Sequence, residues 1–259
     1  MTVDPVHEGQ AMEQELALDG RIALVTGGSR GIGLAAARGL GLAGATVVIV
    51  GQDRHRAEEA AADLLDEGID AVGHGCDVAD PAAVARLAQD LEPLSCVDVL
   101  VVSAGVMSAR MAKTLRTSAE EWRRVMSVNL DGAFHAIAAF APGMAERRRG
   151  RIITVSACLG RFTGPGTSGG LAPYRVSKAA LNALTRNLAA ELQFGGRGVL
   201  VDAMCPNHCR TDMGGPDAPR SAQEGAETIL WLATRGAVEA DGTPVPTGLL
   251  WEDRQVVPW

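Results

Sequence analysis

Residues 22–33 read IALVTGGSRGIG, and residues 34–44 continue as the Ala- and Leu-rich stretch LAAARGLGLAG. The apolar run at the start is typical of a buried strand, and the stretch after the glycines is typical of a helix. Gly27, Gly31 and Gly33 allow a tight turn, a close approach of the backbone to a pyrophosphate and close packing of the helix. The stretch therefore predicts a strand, a glycine-rich turn and a helix that together form a pyrophosphate cradle.

The rest of the chain alternates short β-branched runs with long Ala-rich stretches, as in a parallel sheet with helices between its strands. The predicted strands are residues 22–25, 46–50, 71–73, 99–102, 151–155, 199–204 and 249–251. They predict an α/β fold of the Rossmann type, a doubly wound parallel sheet of about seven strands with helices on both faces. Residues 1–18 are polar and acidic without a period. We expect them to be a flexible extension before a single domain at 19–259.

Two predicted helix starts have the capping-box spacing, in which a serine is followed three residues later by a glutamate. They are Ser118 with Glu121 and Ser221 with Glu224. The first predicts a long helix that ends near Gly150. The Gly-, Pro- and Asp-rich segment 211–220 follows the sixth predicted strand, at the sheet edge where ligands of open α/β folds bind. It is expected to be either a flap over a substrate or a plain surface loop.

The composition excludes several classes of function. A formal net charge of −7 and a pI near 5.3 argue against a nucleic-acid partner, which needs clustered positive charge. No apolar stretch approaches the ~20 residues that span a bilayer, and the N-terminus lacks the layout of a signal peptide. The five cysteines, at positions 76, 96, 158, 205 and 209, never form a Cys-x-x-Cys pair. We therefore expect a cytoplasmic protein with no membrane, nucleic-acid or metal partner.

The spacing Thr-Gly-x-x-x-Gly-x-Gly at residues 26–33 resembles the short-chain dehydrogenase/reductase family, and the resemblance runs over nearly the whole chain from Asp19. Further matches follow in order: Asp77 in CDVAD, Ser103 to Gly105 in place of the family's Asn-Asn-Ala-Gly turn, Asn129 in SVNLDG, and the pair Tyr174 and Lys178. The resemblance implies a nicotinamide dinucleotide held by Thr26, Gly27, Ser29, Arg30, Gly31, Ile32, Gly33, Gln52, Arg54, Asp77, Val78, Ser103, Ala104, Gly105, Tyr174, Lys178, Pro206, Asn207 and Thr211.

The end of the second predicted strand bears on the choice of dinucleotide. An acidic side chain there would bind the ribose 2′-hydroxyl and select NAD, but the chain has Gly51 and Gln52. Arg30 and Arg54 could instead pair with a 2′-phosphate, which guanidinium geometry suits well. The sequence therefore favours NADP(H) over NAD(H), and Asp53 is the feature that argues against this preference.

Tyr174 is the only tyrosine, and Lys178 is one of two lysines. Four residues apart on a helix, the two side chains occupy one face. An ammonium beside a phenol favours the phenolate and lowers a pKa from about 10, so Tyr174 could exchange a proton with a carbonyl or an alcohol. The resemblance implies that Tyr174 gives this proton while the nicotinamide gives hydride, aided by Lys178 and by Asn129 through water.

The same resemblance exposes a gap in the active site. In RIITVSACLG, Ser156 falls on the first of the family's two serines, and Ala157 falls on the catalytic one. Losing one donor to a developing oxyanion costs about 2.7–4 kcal/mol in comparable sites. Candidate replacements are Thr163, Thr167 and Ser168 in the loop that follows, or Asn207 and His208 in CPNHCRTDM. His208 is a candidate catalytic residue because an imidazole can gain or lose a proton near neutral pH. It could equally cap a turn or face solvent.

Three functions remain open at this point. The C-terminal half resembles the NADPH-dependent carbonyl reductase branch, which implies a reductase or dehydrogenase acting on a small, hydrophobic molecule. The missing hydroxyl instead favours atypical, non-redox chemistry by an isomerase, cyclase or dehydratase. A non-catalytic NADP-binding sensor is the third. Family members often associate through the helices that carry Asn129 and Tyr174, so a homodimer or homotetramer is expected.

Overall fold

The computed structural model describes residues 17–91, 96–108, 113–238 and 241–259, and eight strands of this part of the chain form one sheet. They are β1 (Ile22–Thr26), β2 (Thr46–Gly51), β3 (Ala71–Gly75), β4 (Val97–Val102), β5 (Gly150–Val155), β6 (Val199–Met204), β7 (Leu250–Glu252) and β8 (Gln255–Val257). The strand order is β3-β2-β1-β4-β5-β6-β7-β8. Each neighbouring pair is parallel except β7 and β8.

Helices fill the connections between the strands. They are α1 (Gly31–Leu42), α2 (Arg54–Asp66), α3 (Pro81–Asp90), α4 (Ala119–Met126), α5 (Gly132–Arg147), α6 (Ala172–Glu191) and α7 (Ala222–Thr234). Successive residues of a strand are buried on opposite faces of the sheet. In β1, Ala23 and Val25 pack on the face covered by α1, α2 and α7, whereas Leu24 packs on the face covered by α3, α5 and α6. Helices therefore cover both faces of the sheet, which is why most residues of the central strands are apolar.

The predicted fold class is confirmed, and all seven predicted strands are present. The last one lies one residue later than expected, at β7, and β8 was not predicted. The two residues between them, Asp253 and Arg254, have positive φ angles of 50° and 62°. Tight hairpin turns of this kind usually carry Asn or Gly, so this turn gave no recognisable sequence signal.

Both predicted helix starts are present. Ser221 and Glu224 form a complete capping box at α7, and the Ser118 hydroxyl accepts the Glu121 N–H at the start of α4. The long helix expected after Ser118 is not one continuous α-helix, because a π-helical segment (Ser127–Asp131) separates α4 from α5. Such segments often occur at functional sites, and this one contains Asn129.

The chain enters the domain just before β1. Leu18 is only 5% exposed, and its N–H donates to the Ala43 carbonyl at the end of α1. Residues 1–16 of the predicted extension lie outside the described residues. No helix of the described chain is long and apolar enough to cross a membrane.

Candidate active site

The glycine-rich turn lies at the carboxyl end of β1. Gly27 and Gly31 take positive φ angles of 66° and 56°, which glycine adopts without strain. A Cβ at Gly27 would lie 2.8 Å from the Ala104 backbone, and one at Gly33 would overlap the Gly27 carbonyl. No side chain caps the first turn of α1. The turn therefore leaves backbone N–H groups at a helix N-terminus free for an anionic group.

Thr26 fixes this turn to the neighbouring strand. Its buried hydroxyl accepts the N–H groups of Ser103 and Ala104 at 3.1 and 3.3 Å. The carboxyl ends of β1 and β4 are thereby joined at the point where the sheet reverses its winding direction. This is the position at which open α/β sheets bind their ligands.

A cavity of about 1100 Å³ opens at that edge of the sheet. Most of the predicted site residues line it: Gly27, Ser29, Arg30, Gly31, Ile32, Gly33, Gln52, Asp77, Val78, Ser103, Ala104, Gly105, Tyr174, Lys178, Pro206, Asn207, His208 and Thr211. Thr26, Arg54 and Asn129 are not part of this lining. Thr26 and Asn129 bond to the backbone of lining residues instead.

Polar side chains from the connection between β2 and α2, from the start of α2 and from the end of β3 line one part of the cavity. Gln52 Nε2 donates to Asp77 at 3.2 Å. Asp53 caps α2 by accepting the Arg56 N–H, and Arg56 Nε lies 3.6 Å from the Asp53 carboxylate. Arg54, predicted to contact a 2′-phosphate, turns away to Glu58 at 2.7 Å. Arg56, two residues further along α2, lines the cavity instead, although its side chain stays largely exposed.

An ion pair crosses the mouth of the cavity. The Arg30 guanidinium in the glycine-rich turn donates to Asp212 at 2.7 Å, and both side chains are exposed. Segment 211–220 carries Asp212 and is held at its base by the Arg210 N–H, which donates to the Arg220 carbonyl at 2.7 Å. The segment thus contacts the turn that precedes α1.

Tyr174 and Lys178 lie on one face of α6, as their spacing predicts. Both are buried, and the Lys178 Nζ is 5.8 Å from the centre of the Tyr174 ring. Nζ donates to the Val155 carbonyl at the end of β5 at 2.8 Å. The Tyr174 N–H donates to the Ser108 hydroxyl, so a residue from outside α6 fixes the start of this helix.

Burial governs the ionisation of this pair. It raises the pKa of Tyr174 above its ordinary value and lowers the pKa of Lys178 to about 8. The expectation that Lys178 lowers the phenol pKa is therefore wrong for the protein alone. The physical reason is that desolvation disfavours both the phenolate and the ammonium when both side chains are buried.

Asn129 is buried behind the cavity wall. Its side chain accepts the Val106 N–H at 2.7 Å and donates to the Val106 carbonyl and to the Ser177 hydroxyl, each at 3.0 Å. Ser177 in turn donates to the Tyr174 carbonyl at 2.8 Å. A Cβ at Gly105 would lie 3.4 Å from Asn129 Oδ1 and 3.5 Å from Lys178 Nζ. Asn129 and Lys178 thus flank the same point of the wall.

The other end of the cavity is apolar. Ala157 packs against Tyr174 and Val125, and four partly buried side chains extend this surface: Val106, Met107, Leu159 and Leu171. Ser156 also lines the cavity, but its buried hydroxyl donates to the Asn182 side-chain oxygen. The loop hydroxyls considered as replacements, those of Thr163, Thr167 and Ser168, are exposed and outside the lining.

Asn207 and His208 both line the cavity. Asn207 has a positive φ of 62°, a conformation that asparagine tolerates and that glycine takes more readily. His208 Nε2 lies 2.8 Å from the Gly214 carbonyl. Because a carbonyl only accepts hydrogen bonds, Nε2 carries the proton. The His208 ring therefore holds the turn that leads into segment 211–220.

Several lining residues were not predicted from sequence. The apolar wall (Met107, Leu159 and Leu171), Arg56, Asp212 and Cys158 belong to no motif that would single them out. Only Arg56 carried a usable signal, since an N-cap at Asp53 sets which side chains of α2 face the sheet. No cluster of three or more metal-ligating side chains occurs in the part of the chain that the structure describes.

Comparisons with known proteins agree with this architecture. A family model described as short chain dehydrogenase matches residues 21–222. The chain is 36% identical to a galactitol 2-dehydrogenase (L-tagatose-forming) of Cereibacter sphaeroides, over 76% of this chain and 74% of the relative. It is 32% identical to a 3-oxoacyl-(acyl-carrier-protein) reductase of Pseudomonas aeruginosa, over 89% and 97%.

A solved structure is similar over most of the chain. It is a gluconate 5-dehydrogenase of Burkholderia cenocepacia in complex with NADP and tartrate. Its TM-score is 0.75 and its sequence identity 30%, with 84% of this chain and 89% of that chain covered.

Proposed function

The chain belongs to the short-chain dehydrogenase family, and from that membership we propose that it is an NADP(H)-dependent oxidoreductase interconverting a carbonyl and an alcohol. We propose a small, apolar molecule as its substrate. The observation that carries the proposal is the position of Tyr174, buried where a dinucleotide-sized cavity meets an apolar wall. A phenol at that point can reach both a cofactor and the oxygen of a substrate.

The residues present fit a dinucleotide. Gly27 and Gly33 stand where any Cβ would collide with the backbone, so the turn keeps its N–H groups close to a pyrophosphate. Gln52 and Asp77 would hold the adenosine, and Lys178 would hold the nicotinamide ribose. When bound, the nicotinamide supplies or accepts the hydride.

The chain's own residues manage the proton. Tyr174 would donate it to the substrate oxygen in reduction and take it back in oxidation. Lys178, with its pKa lowered to about 8 by burial, ionises close to the pH at which such a transfer takes place. Asn129 positions the wall and, through Ser177, the backbone of Tyr174.

Preference for NADP(H) rests on the charges near the adenosine end. Gly51 and Gln52 provide no carboxylate for a ribose 2′-hydroxyl. Arg30 and Arg56 line the cavity, and guanidinium groups suit a 2′-phosphate. Arg30 and Arg56 now pair with Asp212 and Asp53, and each arginine would exchange its carboxylate partner for that phosphate. The NADP complex of the similar gluconate 5-dehydrogenase supports the same choice.

The apolar wall supports the substrate class. Sugar-like substrates need polar partners for several hydroxyl groups, because buried unpaired polar groups are costly. The surface beside Tyr174 instead offers Ala157, Met107, Leu159 and Leu171. We therefore favour an apolar ketone or aldehyde over a polyol, although a relative of this chain is a galactitol dehydrogenase. The working form is proposed to be a cytoplasmic homodimer or homotetramer.

A carbonyl panel tests the proposal. We expect loss of reduced-nicotinamide absorbance with NADPH and apolar ketones, and much slower turnover with NADH or with polyols and NADP⁺. Tyr174→Phe is the matched control, since it removes one oxygen and should reduce turnover ~10²-fold or more while NADPH binding is retained. Turnover that survives in this variant would contradict the role of Tyr174.

A second function is favoured by one observation. Ala157 stands where the resemblance implies a catalytic hydroxyl, and the loop hydroxyls Thr163, Thr167 and Ser168 lie outside the lining. This favours non-redox isomerase, cyclase or dehydratase chemistry, with Tyr174 or His208 exchanging protons. NADPH that binds without reducing any carbonyl, while the same protein converts a substrate isomer, would support it. Binding with no conversion at all would support the sensor.

A further inference from the structure

Two cysteines meet at the substrate end of the cavity, and the proposed reaction uses neither. Strands β5 and β6 pair in register up to Val155 and Met204, and the Ser156 N–H donates to the Met204 carbonyl at 2.8 Å. Cys205 is the next residue after β6, and Cys158 begins the 3₁₀ turn Cys158–Gly160 after β5. The two side chains lie within hydrogen-bonding reach of each other, and the Cys205 thiol also faces the Asn207 side-chain oxygen at 4.0 Å. Both are free.

The two thiols differ in access to solvent. Cys158 is partly exposed and lines the cavity, so a small solute can reach it. Cys205 is only 1% exposed and lies behind it. The hydrogen bond from Cys205 lowers the pKa of Cys158 to about 6, while that bond and burial raise the pKa of Cys205. An accessible thiolate beside a second, protected thiol is the usual arrangement of a peroxide-sensitive site.

We propose that Cys158 and Cys205 are a reversible disulfide-forming pair, in which Cys158 reacts with a hydroperoxide and Cys205 resolves the product. In the first step the Cys158 thiolate attacks the peroxide, forming a sulfenic acid and releasing hydroxide from H₂O₂. In the second step the Cys205 thiol attacks the Cys158 sulfur, the new S–S bond forms, and water leaves. Two electrons pass from the thiols to the peroxide. A dithiol reductant reverses the reaction by exchange.

Closing this disulfide would change the catalytic wall. Hydrogen-bonded sulfurs must move closer to reach a bond length of about 2.05 Å. The turn that moves carries Leu159, which lines the cavity, and Gly160, where a Cβ would lie only 2.7 Å from Lys178 Cβ. Displacing this turn disturbs Lys178 and the substrate wall but not the glycine-rich turn. Oxidation therefore lowers turnover and weakens dinucleotide binding to a smaller extent, because the Lys178 contact is disturbed while the pyrophosphate turn is unchanged.

The test is peroxide treatment of the reduced full-length protein, followed by alkylation and peptide mass spectrometry. We expect a Cys158–Cys205 linked peptide, with the loss of two alkylatable thiols, that disappears on treatment with dithiothreitol. Cys205→Ser should instead leave a sulfenic acid on Cys158 that dimedone traps, and Cys205→Ala repeats this result if the serine disturbs folding. Cys158→Ser should show neither product, whereas Cys96→Ser, which changes an exposed thiol, should behave like the wild type.

The thiol products are detected by mass spectrometry, and this readout is independent of the proposed function. The activity readout rests on the proposed function. For the oxidised wild type we expect kcat/KM to fall about tenfold, with a smaller loss of NADPH affinity and full recovery of both on reduction. Overoxidation of Cys158 without a linked peptide would overturn the proposal. So would a peroxide-induced loss of turnover that persists in Cys158→Ser. Failure of every carbonyl to react, with the linked peptide present, would overturn the proposed function alone.

Discussion

Ala157 presents a methyl group to Tyr174 where the resemblance implies a hydroxyl. The neighbouring Ser156 does not supply it, because successive residues of an extended chain point to opposite sides and its hydroxyl bonds to Asn182. Asn207 and His208 remain as polar groups of the lining on the other side of the cavity. If the chain is a reductase, its rate is therefore expected to be limited by weak stabilisation of the substrate oxygen.

Ala157→Ser tests this limit. One donor to a developing oxyanion contributes about 2.7–4 kcal/mol in comparable sites, so we expect kcat/KM for a small ketone to rise at least tenfold. Ala157→Val is the control, because it adds bulk without a donor and should lower the rate. Steady-state kinetics with NADPH measure both variants. A serine variant no faster than the wild type would mean that another group already fills the role.

Lys178 gives a prediction about stability and pH. Burial lowers its pKa from 10.5 to about 8, so the unfolded chain takes up this proton at a higher pH than the folded protein does. The penalty of the buried charge is fully present below pH 8 and disappears as the pH rises to 10.5. The free energy of unfolding of Lys178→Met, measured relative to that of the wild type, should thus be about 3 kcal/mol higher at neutral pH than at pH 10.5.

Urea unfolding of the dinucleotide-free protein at several pH values measures this difference. Lys113→Met, which removes an exposed lysine, should show no such trend. A pH-independent difference between Lys178→Met and the wild type would show that Lys178 titrates normally in the folded protein.

Tyr174, Lys178 and Asn129 could be singled out from the sequence because their types are rare or their motif is specific. The residues that surround them in the structure could not be predicted in this way. Ser108, which caps the helix at Tyr174, lies 66 residues earlier in the chain. The pKa directions also depended on burial, which the spacing of Tyr174 and Lys178 does not reveal.

Among the secondary-structure elements, the glycine-rich turn and α1 were predictable because the constraint is local. Glycine is required where the φ angle is positive or the backbone approaches closely, and the sequence displays both needs. The π-helical segment Ser127–Asp131 was not predictable from any local pattern, and it carries Asn129, whose bond to the Val106 backbone joins distant parts of the chain. Arg54 and Arg56 show a related limit, because each residue turns a helix by about 100°, so a small error in where α2 begins changes which of the two arginines faces the cavity.

The arginines give a prediction about cofactor choice. Arg30→Ala and Arg56→Ala should each weaken NADPH binding about tenfold or more, because a charge-assisted hydrogen bond contributes about 1.5–3 kcal/mol. NADH binding should change little. Arg54→Ala is the matched control, since its guanidinium bonds to Glu58 outside the cavity. Fluorescence titration with both dinucleotides measures these affinities, and equal losses for NADPH and NADH would contradict the assignment.

Asp212→Asn tests the other side of the ion pair with Arg30. Removing the carboxylate frees the guanidinium for a 2′-phosphate, so NADPH should bind more tightly and NADH should not. Weaker NADPH binding in this variant would mean that segment 211–220 needs the ion pair to hold its position.

For the molecule as a whole, the alternation of strands and helices was enough to predict a doubly wound sheet. The order of the strands follows from the short right-handed connections of such folds. The hairpin of β7 and β8 was missed because Asp253 and Arg254 are unusual turn residues. The shape of the cavity depends on loops from distant parts of the chain, and no local pattern encodes it.

The start of the domain is also a property of the whole molecule. Leu18 is buried against the core formed with α1, so Leu18→Ala should lower the free energy of unfolding by about 3 kcal/mol. Leu42→Ala is the control, since that side chain is 63% exposed and should matter little. A chain that begins at residue 17 should unfold like the full protein. Urea denaturation measures all three, and a strongly destabilised truncation would contradict the proposed extension.

The most direct test of the central claim is to follow a deuterium label from the nicotinamide. Full-length protein is mixed with NADPH deuterated at the transferable position and with an apolar ketone, and the product is analysed by mass spectrometry. We predict deuterium on the carbinol carbon of the alcohol with the wild type, and at least ~10²-fold less deuterated alcohol in the same time with Tyr174→Phe. A converted substrate whose label stays entirely on the cofactor would contradict the account and establish non-redox chemistry at this site.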